Sequence, residues 1–583
     1  MTIRLPFQFL FLAFVAAGVY YPSIFAPELT VDDARMLTTL INKDRFDLVS
    51  LFFPAGGIYY YRPLLVLSFY MDRLFFLCHP TIMHFENILL HVGNSCLLFW
   101  FARQLLRPKA DTTPGLDSTP SAAPLLIALL FAIHPLTTEP VNWISGRTDL
   151  LAGFFALLTL NLFWYNRRGP DAWSLDCLAA LSLLLGLFGK EVAAAAFLVI
   201  LAALFWRELN FAITAWRQRL RILLPYVITL WGYFSLRSGS FLLLDNGVRS
   251  AITGTKGAEH FTFWNKIIIG LKALGFYATK IIWPFPLNFA IVEVNAPLSL
   301  SAAFLVLVLL AWLCLRRQGT FSFLLVSTFL FVSPALLVAT SKMAWTPLAE
   351  RYLYIPLMFF ACAMVPFLGQ RLSTKLGVAL FGVLLMGLSW ATVSRNLVWQ
   401  NNLTLFADVV QKSPTFVAGH NEYAVALARA GKVEEAKEHF AIAARIGQGT
   451  SRQLAKANLA WLDAEANDFL NNVDSLLSET SSQIATQDLL MATVKHIDRL
   501  SLQTEDAKTL RRLTAKNIEL HNRLYALTKD PFSLYRQGQL YLSLGEKKRA
   551  EGHFTEACSL GSDYYKEAAC TLAARLQKER TGK

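Results

Sequence analysis

Two aspartates stand side by side in Thr30-Val31-Asp32-Asp33, just beyond a first apolar run. Adjacent carboxylates can take a proton from a hydroxyl, hold a metal ion, or cap the helix that follows. Tyr59-Tyr60-Tyr61-Arg62-Pro63-Leu64 then opens another apolar segment, and His84 and His91 fall on one face of the next helix, as ligands or as core. Between two later apolar runs, the stretch from His134 to Asp149 also holds Glu139 and Arg147, more ionisable chemistry than a connector requires. Lys190-Glu191 occupies a further junction, and Glu350-Arg351-Tyr352-Leu353-Tyr354 starts a later apolar run. Ionisable groups at the edges of apolar segments are costly unless they are used or paired. Each pair alone reads as a structural salt bridge, but four clusters on one side read as a site. Acids there suit hydroxyl activation, and cations suit a phosphate. Motifs for zinc or nucleotides (CxxC, HExxH, GxxxxGK[ST]) do not occur.

The elements that must position these groups are apolar helices. Of 583 residues, 55% are apolar and 16% charged, whereas soluble domains run to about 45–50% and about 25%. Residues 1–394 hold 29 of the 54 Lys and Arg and 19 of the 41 Asp and Glu, so charge is about twice as dense beyond Arg395. This excludes a wholly soluble enzyme and predicts a membrane body (1–394) followed by a soluble domain (395–583). A span needs about 20 apolar residues. Runs at 7–26, 82–102, 122–135, 149–165, 172–189, 192–206, 221–237, 299–315, 320–340, 352–368 and 376–394 give about eleven. Lys and Arg collect in alternate connections, which places the N-terminus in the cytoplasm. Residues 27–81, 136–148, 238–298, 341–351 and the tail then fall on the other side. The first of these is the first extracytoplasmic loop. Residues 62–80, with Asp72 and Arg73, and 263–283, with Lys266, Lys272 and Lys280, read as amphipathic helices in the outer interface. The net charge of +13 is mostly a topology signal and implies no nucleic-acid partner.

The tail carries a repeat. Pro414, Ala424, Leu427, Gly431, Ala436, Phe440 and Ala443 are echoed by Pro531, Gly538, Tyr541, Gly545, Ala550, Phe554 and Ala557. Small and aromatic residues at such offsets are those of the 34-residue tetratricopeptide repeat, and residues 451–528 must then hold diverged helical pairs. Such arrays form an α-solenoid with a surface for an extended peptide, or a scaffold for membrane partners. Cys558 and Cys570 end one predicted helix and lie in the next, where an oxidising compartment would allow a disulfide.

The blocks Asp32-Asp33, YYRPL, HxxN-x-x-LH at His84–His91, HPxxTEPVNWISGRTDLLAGxF at 134–154, Lys190-Glu191 and AERYLYIP at 349–356 resemble the transmembrane and tetratricopeptide repeat-containing (TMTC) proteins and their bacterial relatives. The resemblance implies an all-α, polytopic GT-C glycosyltransferase that moves a sugar, mannose or another hexose, from a polyprenyl phosphate to Ser or Thr hydroxyls of extracytoplasmic proteins, with inversion. Asp32 would be the base and Asp33 its partner. Arg351, Arg147 and Lys190 would hold the lipid phosphate, with Glu350 and Glu191 steadying their neighbours. His134, Glu139, Asp149, Glu191, Glu350, Tyr352, Tyr354 and Arg62 would line the substrate pocket. A monophosphate donor calls for no metal cofactor, and a divalent ion on the aspartate pair is the alternative left open. The partners would be the lipid-linked sugar, membrane lipids and an acceptor held by the repeats. The location would be a bacterial inner membrane with periplasmic repeats, or the ER membrane with luminal ones. Transfer of a preassembled oligosaccharide, modification of lipid or polysaccharide, and a non-catalytic scaffold are the competing readings.

Overall fold

The computed structural model describes residues 5–26, 30, 31, 33, 48–53, 61–106, 122–169, 171–206, 209, 216–242, 263–316, 319–340, 346, 348–367, 374–463, 483–560 and 565–581. Asp32 lies outside them. The regular structure of the described residues is helical, joined by turns and extended connections such as 283–295, with one isolated antiparallel bridge between Ile291 and Leu348. They form two compact units, one through Ser413 and one from Pro414.

In the first unit the order is α1 (Leu5–Ile24), a short helix (Leu48–Phe52), α2 (Pro63–Phe76), α3 (Pro80–Leu105), α4 (Ala123–Ala132), α5 (Thr138–Asn142), α6 (Arg147–Arg167), α7 (Trp173–Gly189), α8 (Ala195–Phe205) and α9 (Trp216–Leu242). It continues with α10 (Phe263–Ile282), α11 (Ala296–Arg316), α12 (Thr320–Thr340), α13 (Tyr354–Phe367), α14 (Lys375–Val398) and α15 (Asn402–Lys412). Five of the described helical segments are long and apolar enough to cross a membrane: α1, Ile144–Arg167, α11, α12 and α14. A bent pair, Ala123–Ala132 with Pro135–Asn142, makes six, and α7 and the segment Glu191–Phe205 are shorter apolar helices. The chain is thus a multi-pass membrane protein.

The expected run 82–102 lies on α3, which falls short of that standard of apolarity. Its His84, Asn87, His91 and Asn94 are buried and turn into the protein. The largest core cluster joins α3, α4, α6, α7, α8, α12 and α13, with Trp164, Leu160, Leu183, Val199, Phe331 and Tyr354 in its interior. The expected outer connection at 136–148 is drawn inside instead. From His134 to Leu150 only Trp143 escapes full burial. The bend that leads into it is local: Pro135 holds His134 in an extended conformation (φ −76°, ψ 133°), which ends α4 and bends the chain by 53°.

α15 extends this unit past the expected boundary at 394. Its Leu405, Phe406 and Val409 are buried, Arg395 pairs with Asp408 at 2.5 Å, and Lys412 Nζ donates to the Leu287 carbonyl at 2.7 Å.

The second unit consists of α16 (Val417–Arg429), α17 (Val433–Ile446), α18 (Gly449–Asp463), α19 (Gln483–Gln503), α20 (Ala507–Thr528), α21 (Phe532–Ser543), α22 (Lys547–Leu560) and α23 (Tyr565–Thr581). Each packs on the next in chain order. The two units of sequence similarity are two hairpins, α16–α17 and α21–α22. Each turns through a glycine in the left-handed region, Gly431 (φ +79°) and Gly545 (φ +81°), a conformation that costs a side chain about 1–2 kcal/mol. Ala436 with Phe440 and Ala550 with Phe554 are buried at matching offsets. Between the hairpins, Leu490, Val494, Ile497, Leu513, Leu520 and Leu524 form the α19–α20 core. Cys558 of α22 and Cys570 of α23 are joined as a disulfide with Cα atoms 4.9 Å apart.

Candidate functional site

The buried segment His134–Asp149 is the hub of the first unit. His134 accepts a hydrogen bond from the Leu136 amide at 3.2 Å and so caps the turn that begins the segment. Thr137 bonds Tyr20 of α1 at 2.6 Å, and Asn142 bonds Ser23 of α1 and Asn396 of α14 at 2.5 and 2.7 Å. Gly146 crosses so close to Pro140 that a Cβ would lie 2.6 Å from its carbonyl oxygen. Any other residue would push Ser145 and Arg147 out of place.

Two ion pairs hang from this hub. Glu139 receives Arg351 twice, through Nη1 at 2.5 Å and the backbone amide at 3.0 Å. Asp149, in the first turn of α6, receives Lys190 Nζ on both oxygens at 2.7 Å. Lys190 is the extended residue between α7 and the 3-10 turn Glu191–Ala194, so its side chain is not committed to a helix face.

Tyr352 joins the pairs, since Lys190 Nζ and the Arg351 guanidinium each stand 5.0 Å from its ring centroid. Trp143 carries the guanidinium 5.2 Å from its own ring. Arg62, at the start of α2, lies within electrostatic range of Lys190. The acids are nearly sealed, with Glu139 and Asp149 side chains 3% and 5% exposed, whereas Arg351 and Lys190 keep 12% and 11%. The two cations thus keep slightly more exposure than the acids they pair with. Asp33, fully buried, accepts from both the amide (2.9 Å) and the hydroxyl (2.5 Å) of Ser145 on the same hub.

The remaining expected residues are placed apart from this cluster. Arg147 spends all five of its N–H donors inside the protein. Nε goes to Asn87, Nη1 to Ser68 and Asp72 at 3.2 and 2.7 Å, and Nη2 to the Met83 carbonyl and Glu86 at 3.2 and 3.0 Å. A lipid phosphate would have to break this node, so the geometry makes Arg147 a clamp of α2 and α3 onto α6. Glu350 faces away from Arg351 and takes Lys280 of α10 at 2.7 Å and the Asn288 amide at 2.9 Å. Glu191 pairs with Arg237 of α9. Tyr354 sits in the core between His91 Nδ1 (2.9 Å) and Asn94 Nδ2 (3.0 Å). His91 also reaches the Ala132 carbonyl through Nε2 at 3.0 Å, so it is a core histidine. Among the described residues, no three or more His, Cys, Asp or Glu are grouped to hold a metal.

Sequence reasoning missed Asp72, Asn87, Trp143, Lys280 and Asn396. The polar ones share a signal, a polar residue inside a largely apolar helix, but that signal names no partner. Asp72 and Lys280 were assigned to amphipathic surfaces, yet both are buried and ion-paired.

These features define a multi-pass helical protein with a buried cluster of acids paired to cations. The comparison with known proteins agrees with that class. Over 105 residues the chain is 44% identical to the human protein O-mannosyl-transferase TMTC4, a match covering 17% of this chain and 14% of that one. It is 36% identical over 100 residues to Drosophila melanogaster protein O-mannosyl-transferase Tmtc3 (16% and 11%). It is also 36% identical over 106 residues to Xenopus laevis protein O-mannosyl-transferase tmtc2 (18% and 11%). The chain thus resembles the TMTC proteins over about a hundred residues, and that stretch spans only 11–14% of these relatives' lengths. No family model matches it.

Proposed function

We propose that this chain is a GT-C membrane glycosyltransferase of about eleven spans. It transfers one hexose from a polyprenyl phosphate to Ser or Thr hydroxyls of extracytoplasmic proteins. The observation that carries the reading is the pairing of Arg351 and Lys190 across Tyr352, the cations slightly more exposed than their acids. The names of the relatives supply the reaction class, and the cluster supplies chemistry that fits it.

A serine hydroxyl is a weak nucleophile and needs a carboxylate to take its proton as it attacks. Asp32 is that base, and Asp33, held by Ser145, fixes the peptide that carries it. The hydroxyl oxygen bonds the anomeric carbon from the face opposite the phosphate. The sugar–phosphate bond breaks with inversion, and the electron pair leaves on the phosphate. Arg351 and Lys190 stabilise that growing charge in a setting of low dielectric. Glu139 and Asp149 hold the cations in place, Arg62 adds to the positive charge, and His134 shapes the hub. No step requires a metal. The second unit is a tetratricopeptide solenoid that binds the acceptor in extended form. The Cys558–Cys570 disulfide suits its placement in an oxidising compartment, the periplasm of a bacterium or the lumen of the ER.

Mass spectrometry of extracytoplasmic proteins from cells with the chain, without it, and with Asp32→Asn tests this. Hexose-modified Ser or Thr peptides present with the wild type and lost in the other two support the proposal. Peptides gaining several sugars at once would favour oligosaccharide transfer, and identical proteomes would sink both.

A further inference from the structure

The far end of α6 carries a second cationic feature that the reaction does not use. α6 begins at Arg147, beside the Asp149–Lys190 pair, and ends at Arg167. Its 21 residues rise about 30 Å, the thickness of a bilayer's hydrocarbon core. Where α6 and α3 end together, a cavity of about 180 Å³ is lined by Trp100, Arg103, Gln104, Tyr165, Arg168 and Gly169. A water's share of liquid volume is about 30 Å³, so the space suits a larger polar group.

Among the described residues its lining holds two guanidinium groups and no carboxylate. Arg168 Nη1 donates to the Gln104 carbonyl at the end of α3, and Gln104 Nε2 holds Asn161 of α6 at 2.8 Å, so the two helix ends are locked around the cavity. The neighbouring Arg167 is committed to Asp176 and Asp171 and does not line it. Arg103 rests 5.8 Å above the Phe99 ring, which sets its guanidinium at the last turn of α3. Trp100 and Tyr165, 37% and 55% exposed, flank the opening as aromatic residues do at the headgroup level of a bilayer. Basic pockets between spans, walled by interfacial aromatics, fit a lipid phosphodiester with its glycerol.

We infer that the cavity between the ends of α3 and α6 binds the phosphate headgroup of an anionic phospholipid, in the leaflet opposite the Arg351–Lys190 cluster. Arg103 and Arg168 meet the phosphodiester, and Trp100 and Tyr165 lie along the glycerol and upper acyl chain. This site is separate from the proposed donor site and does not depend on the transferase reading. It makes the α3–α6 pair a lipid-fastened strut under the hub.

The test is photo-crosslinking of the full-length chain in nanodiscs of phosphatidylcholine doped with a photoactivatable phosphatidylglycerol. Cross-links concentrated on peptides covering 99–106 and 163–169, and at least five-fold weaker with Arg103→Glu, support the site. Arg103→Lys should retain most of the signal. Cross-links spread evenly over the lipid-facing helices, or unchanged in Arg103→Glu, overturn it. If Arg103→Glu fails to insert, Trp100→Ala serves with the same criterion. Competition with 10 mM inorganic phosphate separates the sources: loss of the cross-link to phosphate alone means a soluble anion site and contradicts the lipid assignment.

Discussion

At the scale of single residues, the sequence marked ionisable groups at the edges of apolar runs but could not say which would face each other. Arg147 and Arg351 look alike as arginines at a membrane edge. The structure separates them, because Arg147 has five internal acceptors and Arg351 divides itself between one carboxylate and two aromatic faces. Different failures follow. Arg147→Leu leaves Asp72 buried without its cation and should destabilise the first unit by about 3–5 kcal/mol, read as a fall in the unfolding midpoint in detergent. The double variant Arg147→Leu, Asp72→Leu should recover much of that loss. Arg351→Gln removes the cation on Glu139 but leaves that acid the backbone amide of position 351 and a side-chain amide as donors. It should therefore cost less stability than Arg147→Leu and lower the transfer rate by about 10²–10³, with KM for the donor changing less than kcat. An unfolding midpoint that stays put in Arg147→Leu, or falls as far in Arg351→Gln, would refute the division. Asp33→Asn keeps an acceptor for Ser145 and should preserve the hub, whereas Asp33→Ala should lose it. Thermal unfolding of the two variants distinguishes them.

At the scale of elements, the legible part was whatever burial and periodicity control. Strong apolar runs such as 299–315 and 320–340 coincide with α11 and α12, and the tail hairpins turn at the glycines their spacing marked. The illegible part lies where polar residues are buried. α3 is rich in His and Asn because it faces the hub; its sequence marks a run at 82–102 but not the partners its polar residues meet. The bend at His134–Pro135 was readable as a helix end, but not as the start of a buried segment, since burial of 135–149 depends on α1 and α14 arriving from distant sequence. In the tail, Gly545→Ala should cost about 1–2 kcal/mol by placing a Cβ on a left-handed residue. Hydrogen exchange over 532–560 should rise in that variant, while exchange in the first unit stays unchanged.

At the scale of the whole molecule, acid should reach the stability of the second unit through its buried histidines. Burial pushes His496 and His521 of the second unit down to about 4, and holds His420, His439 and His553 below their ordinary value as well. A depressed imidazole favours the neutral folded form, so this unit has its full stability above about pH 6.5 and loses it as the pH falls from there toward 4. Exchange protection over 483–528 in the full-length chain should therefore drop between pH 7 and pH 5, and a flat profile would count against it. The central claim concerns the hub, its sealed acids and the cations paired to them, and one reconstitution reaches it. The purified chain in proteoliposomes, given a polyprenyl-phosphate mannose and an unfolded Ser/Thr-rich acceptor, is followed by intact mass and by the anomeric configuration of the product. The account predicts gain of single hexoses with inverted configuration, abolished by Asp32→Asn and cut at least a hundred-fold by Arg351→Gln. Transfer that proceeds undiminished in both variants would contradict it.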